Sequence, residues 1–434
     1  MIERKAAIAI AEEAISTSKA DDLELSIRSR SSATTRFANN AITQNIETMQ
    51  RNVSATAYFG RKKGTASTTA IDGDSMRGCV HRAEAIARIS PEDPESLPSL
   101  GPQTHKEFPA WLERTARFGP EQRADAAKVM VEIARANKST LAGTVERHSS
   151  SLTLASKNGL RSHFANTAAE TSCTADAGSG GTGWAGDGHR DLDRVDFSSI
   201  ATQACDKALA SVNPSEIEAG DWTVLLEPGA VVGLLNYLIW FWNARDTYAG
   251  TTFLSDKIGE RLLGENIFLE SRPSDPDLLA APFDWDGIPS FEGLWIDAGR
   301  IVRFFHDRWT AKERGVEPTG WPQGLVLRGG DESRESLIET TERGILVSRL
   351  WYIRSVDPMK LLLTGMTRDG TFLVEEGRVV RALNNLRFNE STLDALSRVD
   401  AMTHARPAGS TGGNRMRAPM LRSHRFHFDS ATLF

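Results

Sequence analysis

Apolar residues in positions 3–18 recur at helical spacing, and from Asp22 onward the spacing changes to strict alternation through LELSIRS, AITQNIET and RNVSATAYFG. That change of period predicts one helix followed by strands. Arg61-Lys62-Lys63-Gly64 reads as a polar turn, Gly64 to Thr69 as a returning strand, and Met76 to Ile89 as a helix whose apolar face holds Val80, Ala83, Ala85 and Ile86. Five prolines between Ser90 and Pro109 then resist regular structure and read as a linker.

Pro120 to Asn137 predicts a helix with proline at its first turn. It is followed by strands TLAGTVERHS and SLTLASK, joined to LRSHFANTAAETSC across Asn158-Gly159, a strong two-residue hairpin signal. Six glycines in the eleven residues from Gly178 to Gly188 predict a mobile loop. Ser198 to Val212 reads as a helix. From Asn213 the composition shifts, and a strand WTVLLEP opens a β-rich stretch with strand pairs around the glycine turns after Trp295 and Thr371, and short helices at 308–314, 334–343 and 391–397. The predicted class is α+β. The predicted regions are an N-terminal α+β unit (1–90), a proline-rich linker (91–119), a central hairpin region (120–215) and a β-rich C-terminal domain (216–434).

The 434 residues are 40% hydrophobic and 25% charged, which suits a folded chain of two or three domains. A formal net charge of −6 supplies no overall attraction for nucleic acid or anionic lipid, so neither partner is expected. Cys79, Cys173 and Cys205 are odd in number and fit no CxxC spacing, so a reducing, cytoplasmic setting is expected rather than a disulfide framework. The acidic residues among the apolar ones at the N-terminus argue against a signal peptide, and the apolar run from Ala230 to Trp242 is too short for a membrane span.

Several letter-level motifs are outweighed by plainer readings. Gly178, Gly180 and Gly183 spell GxGxxG, but no helix opens after them to receive a pyrophosphate. The nine histidines are scattered, without two on one element beside a glutamate, as a catalytic zinc requires. His424 and His427 are oddly spaced on a predicted strand and face opposite sides. Asp284 and Asp286, two apart on an extended stretch, could face a cation together, although a turn beside Gly287 is the cheaper explanation. Two aromatic clusters stand out: Tyr237, Trp240 and Trp242 at the end of the helix after Pro228, and Arg349, Trp351, Tyr352 and Arg354 on a strand. Aromatics with arginine are enriched where proteins meet ligands, and also in domain seams.

Pro282-Phe-Asp-Trp-Asp-Gly-Ile-Pro-Ser, Trp295-Ile-Asp-Ala-Gly-Arg-Ile-Val, Asp307-Arg-Trp-Thr-Ala-Lys-Glu-Arg-Gly-Val-Glu-Pro-Thr-Gly and Leu363-Thr-Gly-Met-Thr-Arg-Asp-Gly-Thr-Phe-Leu-Val-Glu-Glu-Gly resemble, in that order, the C-terminal domain of the TldD/PmbA (TldE) metallopeptidase family. Thr35-Arg-Phe-Ala-Asn-Asn-Ala-Ile-Thr-Gln-Asn-Ile-Glu resembles the family's substrate-side domain. The resemblance implies a cytoplasmic two-chain protease acting on unfolded or small peptides. One subunit, TldD-like, holds zinc through an HExxxH helix and a later cysteine, and the other, TldE-like, lacks those ligands.

The zinc helix of the family matches the segment after Val224-Leu-Leu-Glu-Pro-Gly, where Asn236, Tyr237 and Phe241 stand in place of the first histidine, the glutamate and the second histidine. No cysteine follows Cys205. The resemblance therefore implies a TldE-like chain with no metal and no catalytic residue of its own. It would pair with a TldD-like zinc subunit around a peptide substrate, or form a homodimer when alone. Candidate peptide contacts are Arg349, Trp351 and Tyr352 and the turn Thr367-Arg368-Asp369. Two other readings remain open: a hydrolase with relocated chemistry using His404 or the Asp284/Asp286 pair, and a stand-alone peptide-binding or assembly protein.

Overall fold

A computed structural model describes residues 1–409 and 415–431. Its first half comprises Arg4–Ser16 (α1), Asp22–Ala38 (β1), Ala41–Phe59 (β2), Lys62–Thr68 (β3), Gly73–Ile89 (α2), Glu113–Ala116 (α3), Pro120–Ala136 (α4), Thr140–Ser156 (β4), Arg161–Gly178 (β5), Gly181–His189 (β6) and Phe197–Ala210 (α5). The strands form one antiparallel sheet in the order β3-β2-β1-β4-β5-β6, so residues before and after the proline-rich stretch contribute three strands each. The strands are longer than the sequence fragments suggest. TLAGTVERHS and SLTLASK are one continuous strand, and the turn expected at 61–64 is confined to Gly60-Arg61.

Strand alternation decides which face is covered. Leu23, Leu25, Ile27 and Val53 pack under α1 and α2, and Phe37, Leu141, Val145 and Cys173 under α4 and α5. All are odd-numbered. The registers keep even residues opposite even residues on neighbouring strands, so Arg28, Arg30, His148, Ser150, Asn166 and Trp184 share the other, helix-free face.

The glycine-rich segment is a strand, not the loop expected from its composition. Gly181 to His189 is β6, paired along β5 and packed under α5. A Cβ on Gly183 would lie 2.2 Å from the Ala204 carbonyl oxygen and 2.4 Å from the Ala208 nitrogen, and one on Gly181 would lie 2.5 Å from the Ala208 oxygen. The glycines are required by a helix backbone that rests directly on the strand, and conformational freedom is secondary.

The second half adds Gly220–Leu226 (β7), Pro228–Trp240 (α6), Ala244–Tyr248 (α7), Leu269–Ser271 (β8), Gly293–Asp297 (β9), Arg300–Ile301 (β10), Arg308–Arg314 (α8), Leu325–Leu327 (β11), Arg334–Glu339 (α9), Arg343–Asp357 (β12), Leu362–Glu375 (β13), Arg378–Ala382 (β14), Leu386–Ser391 (β15), Thr392–Ser397 (α10), Val399–Met402 (β16), Arg406–Ala408 (β17), Met416–Ala418 (β18) and Leu421–Ala431 (β19). The helix expected over 334–343 stops at Glu339, because Arg343 already begins β12. Strands β12, β7, β19, β15 and β13 pair in sequence, and β13 pairs back to β12, closing a five-stranded ring with β14 and β16 attached. Val224, Leu226, Ile345, Leu363, Phe388 and Phe426 belong to the main core of this half, which also receives α6. The α+β, β-rich architecture agrees with the sequence expectation.

Candidate functional site

The helix α6 starts where strand β7 ends, at Glu227, with Pro228 in the first turn, where its fixed φ suits a helix and its missing N–H is no loss. Ala230, Val231, Val232, Leu234, Leu235, Leu238 and Ile239 are buried, so the helix is held by the core on most of its circumference. Asn236 and Tyr237 lie half-buried on the remaining strip. The Tyr237 hydroxyl donates to the Ile353 carbonyl on β12. Phe241 caps the C-terminus and packs against the core. The other aromatic residues grouped there by sequence part company: Trp242 is buried with its indole N–H on the Arg303 carbonyl at 2.8 Å, whereas Trp240 is 72% exposed.

These residues do not fit a zinc ion. Asn236 contributes an amide, Tyr237 a phenol engaged with the backbone, and Phe241 no donor atom, while zinc sites draw on imidazole, thiolate and carboxylate. Among the described residues no group of three or more His, Cys, Asp or Glu side chains converges to hold a metal.

At its N-terminus α6 meets the first half of the chain. The Glu227 carboxylate is 8% exposed and binds Lys207 of α5 at 3.0 Å and Arg334 of α9 at 3.2 Å. Burial pushes its pKa up, but the two cations outweigh burial and hold it below the usual carboxylate value. A cavity of about 260 Å³ opens beside this triad, lined by Trp184, Lys207, Glu227, Gly229, Ser348 and Arg406. The same seam is fixed by Arg190, buried, donating to the Leu278 carbonyl at 3.2 Å; burial pushes its pKa down to about 10.

The predicted peptide-contact residues separate into two groups. Arg349 of β12 stacks 4.6 Å from the Trp184 ring and 4.6 Å from the Trp351 ring, and its guanidinium lies 3.4 Å from Asp369. Arg368 lies 3.8 Å from the same carboxylate and 5.5 Å from Trp351. Burial lowers the Arg349 pKa despite Asp369. Arg349, Trp351, Arg368 and Asp369 thus form one cluster with Trp184, a residue that sequence reasoning missed inside the glycine run.

Tyr352 and Thr367 do not join it. Tyr352, exposed at positive φ on a bulge, faces Arg354 at 4.5 Å, and Thr367 is fully buried with its hydroxyl accepting from the Leu386 N–H at 2.9 Å. The expected turn Thr367-Arg368-Asp369 is part of strand β13. Its positive φ at Asp369 and Gly370 belongs to a bulge opposite Ser348, where the β12 register slips.

The residues proposed for relocated chemistry are not assembled. His404 is exposed, and Asp284, 5% exposed, accepts from the Asp286 and Ile288 N–H groups at 3.0 Å each, which is a turn-stabilising role. Burial and the neighbouring Asp286 charge raise the Asp284 pKa to about 6. No helix among the described residues is long and apolar enough to cross a membrane.

Comparison with known proteins matches these regions to family models. Residues 23–87 match PmbA/TldA metallopeptidase domain 1, residues 114–212 the central domain, and residues 219–429 the C-terminal domain. The chain is 22% identical over 367 residues to the metalloprotease PmbA of Escherichia coli O157:H7, covering 79% of this chain and 80% of that one. It is also 22% identical over 241 residues to a metalloprotease of Methanothermobacter thermautotrophicus, covering 51% of each. The crystal structure of TldE from Thermococcus kodakarensis superposes with a TM-score of 0.88 at 19% identity, over 98% of this chain and 99% of that one. The order of domains and the fold leave one assignment: the chain belongs to the PmbA/TldA metallopeptidase family, the TldD/PmbA family that its motifs resemble.

Proposed function

We propose that this chain is the TldE-like, metal-free subunit of a TldD/TldE-type peptidase, and that a TldD-like partner supplies zinc, the attacking water and the base for hydrolysis of unfolded or small peptides. The observation that carries the reading is the chemistry of α6: the position that holds zinc in an active relative offers Asn236, Tyr237 and Phe241, with Tyr237 committed to the Ile353 carbonyl. Packing has replaced ligation there.

In this role the chain contributes wall and grip. Trp184, Arg349 and Trp351 present stacked π and guanidinium surfaces at the seam, suited to a peptide's carbonyls and side chains without demanding one sequence. A cytoplasmic setting is consistent with three buried free cysteines.

The test is metal content and turnover. The purified chain, dialysed and assayed alone, is expected to hold no stoichiometric zinc and to cleave no unfolded casein. Co-expressed with an HExxxH homologue, it is expected to co-purify and to give a zinc-dependent peptidase. Stoichiometric zinc with peptidase activity in the isolated chain would refute the reading.

A further inference from the structure

The helix-free face of the first sheet carries a cavity larger than the one beside Glu227. It measures about 400 Å³ and is lined by Arg28, Arg30, His148, Leu152 and Phe164 from the sheet and by Leu279 from the second half of the chain. Strand pairing sets the rows across its floor. Asn52, Arg28, Leu152 and Phe164 stand side by side in one row, and Gln50, Arg30, Ser150 and Asn166 in the next. Neither row holds an acid.

The acids elsewhere on this face are already engaged. Glu24 accepts from the Tyr58 hydroxyl at 2.8 Å and lies 3.7 Å from Arg308, and Glu146 lies 2.9 Å from a His148 ring nitrogen. That His148 bond is the chief cause holding the Glu146 pKa below its usual value, with Arg30 a lesser one. Glu170, buried opposite Glu146, also has a partner. Arg28 and Arg30 are exposed to the cavity and make no side-chain hydrogen bond or ion pair among the described residues. Two residues on one face of a strand stand roughly 7 Å apart, and like charges side by side on a sheet repel unless an anion joins them.

We propose that this cavity is a subsite for acidic stretches of an extended peptide, in which Arg28 and Arg30 each bind one of two carboxylates that stand two residues apart. The spacing is set by the peptide itself. An extended chain laid along β1 repeats its side chains on one face at the same roughly 7 Å as the strand beneath it, so acids at alternate positions fall over both guanidinium groups. Leu152, Phe164 and Leu279 supply an apolar wall beside the cations, which suits the aliphatic parts of a peptide. A nucleic acid fits less well, since it needs a longer track of cations and the chain carries a net charge of −6. The choice of a peptide as ligand rests on the peptidase-subunit reading, and the preference for acid rests on the two arginines.

The experiment is titration calorimetry of the full chain with a capped Gly/Ser peptide that carries Asp-Ser-Asp at its centre, and with the same peptide carrying Asn-Ser-Asn. The acidic peptide is expected to bind about tenfold more tightly at low ionic strength, and the difference is expected to shrink as salt is added. Combining Arg28→Gln with Arg30→Gln should remove the preference. Combining Lys5→Gln with Arg51→Gln makes the same change in net charge on exposed residues outside the cavity, and should leave it intact. Equal affinity for the two peptides, no measurable binding of either, or equal loss in both double variants overturns the proposal, and so does oligothymidylate bound as tightly as the acidic peptide. Zinc content and turnover of the co-purified pair report on the subunit reading alone: an active pair whose isolated chain shows no acid preference overturns only this inference, whereas acid-selective binding without any peptidase overturns only the other.

Discussion

Replacing Glu227 by glutamine removes one buried charge while keeping the size and most hydrogen-bonding capacity of the side chain. Lys207 and Arg334 then lose the anion that neutralises them at the start of α6. Breaking a fully buried pair costs about 3–5 kcal/mol. Here the two cations remain 27% and 43% exposed and can rehydrate, so the expected loss is about 2–3 kcal/mol. Urea unfolding at pH 7 measures it, and Lys207→Met combined with Glu227→Gln should show a coupling of about 1 kcal/mol.

The pH dependence has a definite sign. A depressed folded-state pKa means that the unfolded chain binds the proton more readily, so the contribution is full above the unfolded value of about 4.3 and is lost as pH falls through the lower folded value. The gap between wild type and Glu227→Gln should therefore close in acid. A gap under about 0.5 kcal/mol at pH 7, or one unchanged down to pH 3, would refute the assignment of a charge-paired Glu227.

Three further outcomes follow from the geometry. Gly183→Ala should lose about 3 kcal/mol or fail to fold, whereas Gly178→Ala, with positive φ but open space around it, should lose only about 1–2 kcal/mol; equal urea midpoints would contradict the close packing of α5 on β6. Tyr237→Phe should cost about 1 kcal/mol through the lost bond to Ile353 and leave zinc content unchanged; a change in bound zinc would implicate the phenol in ligation. Asp284 has a raised folded pKa of about 6, so the wild type loses stability as pH rises from about 4 to 6, and Asp284→Asn should gain on the order of 2 kcal/mol relative to it at pH 7; Tm that tracks wild type at every pH would contradict the burial argument.

What can be read from the sequence is whatever neighbours in the chain decide. The start of α6 is legible because an apolar run follows Glu-Pro-Gly, and helix, strand and hairpin assignments rest on periods within a few residues of one another. The glycine run misleads because its cause lies elsewhere: Gly183 is needed by the backbone at Ala204 and Ala208, and nothing local separates such a strand from a loop. Asp369-Gly370 has the local chemistry of a turn, yet its positive φ serves a bulge set by the slipped register of β12. Trp184 is invisible as a site residue because its partner, Arg349, comes from the other half of the chain. The proposed correspondence of Asn236, Tyr237 and Phe241 with a zinc motif is the opposite case, since the lack of an imidazole there can be seen without knowing what surrounds it.

The sheet shared across the proline-rich stretch also constrains how the chain comes to be folded. β1 lies between β2 and β4, and Glu24 pairs with Ser156. As the chain is synthesised, β1 to β3 can form a three-stranded meander with α1 and α2, but its β1 edge stays open until β4 has left the ribosome. Closing so long a loop is slow, and an exposed edge during that interval is a hazard for aggregation. Folding yield should therefore depend on elongation rate between residues 90 and 156 more than on any later segment, and a chaperone that shields extended strands would act in that window.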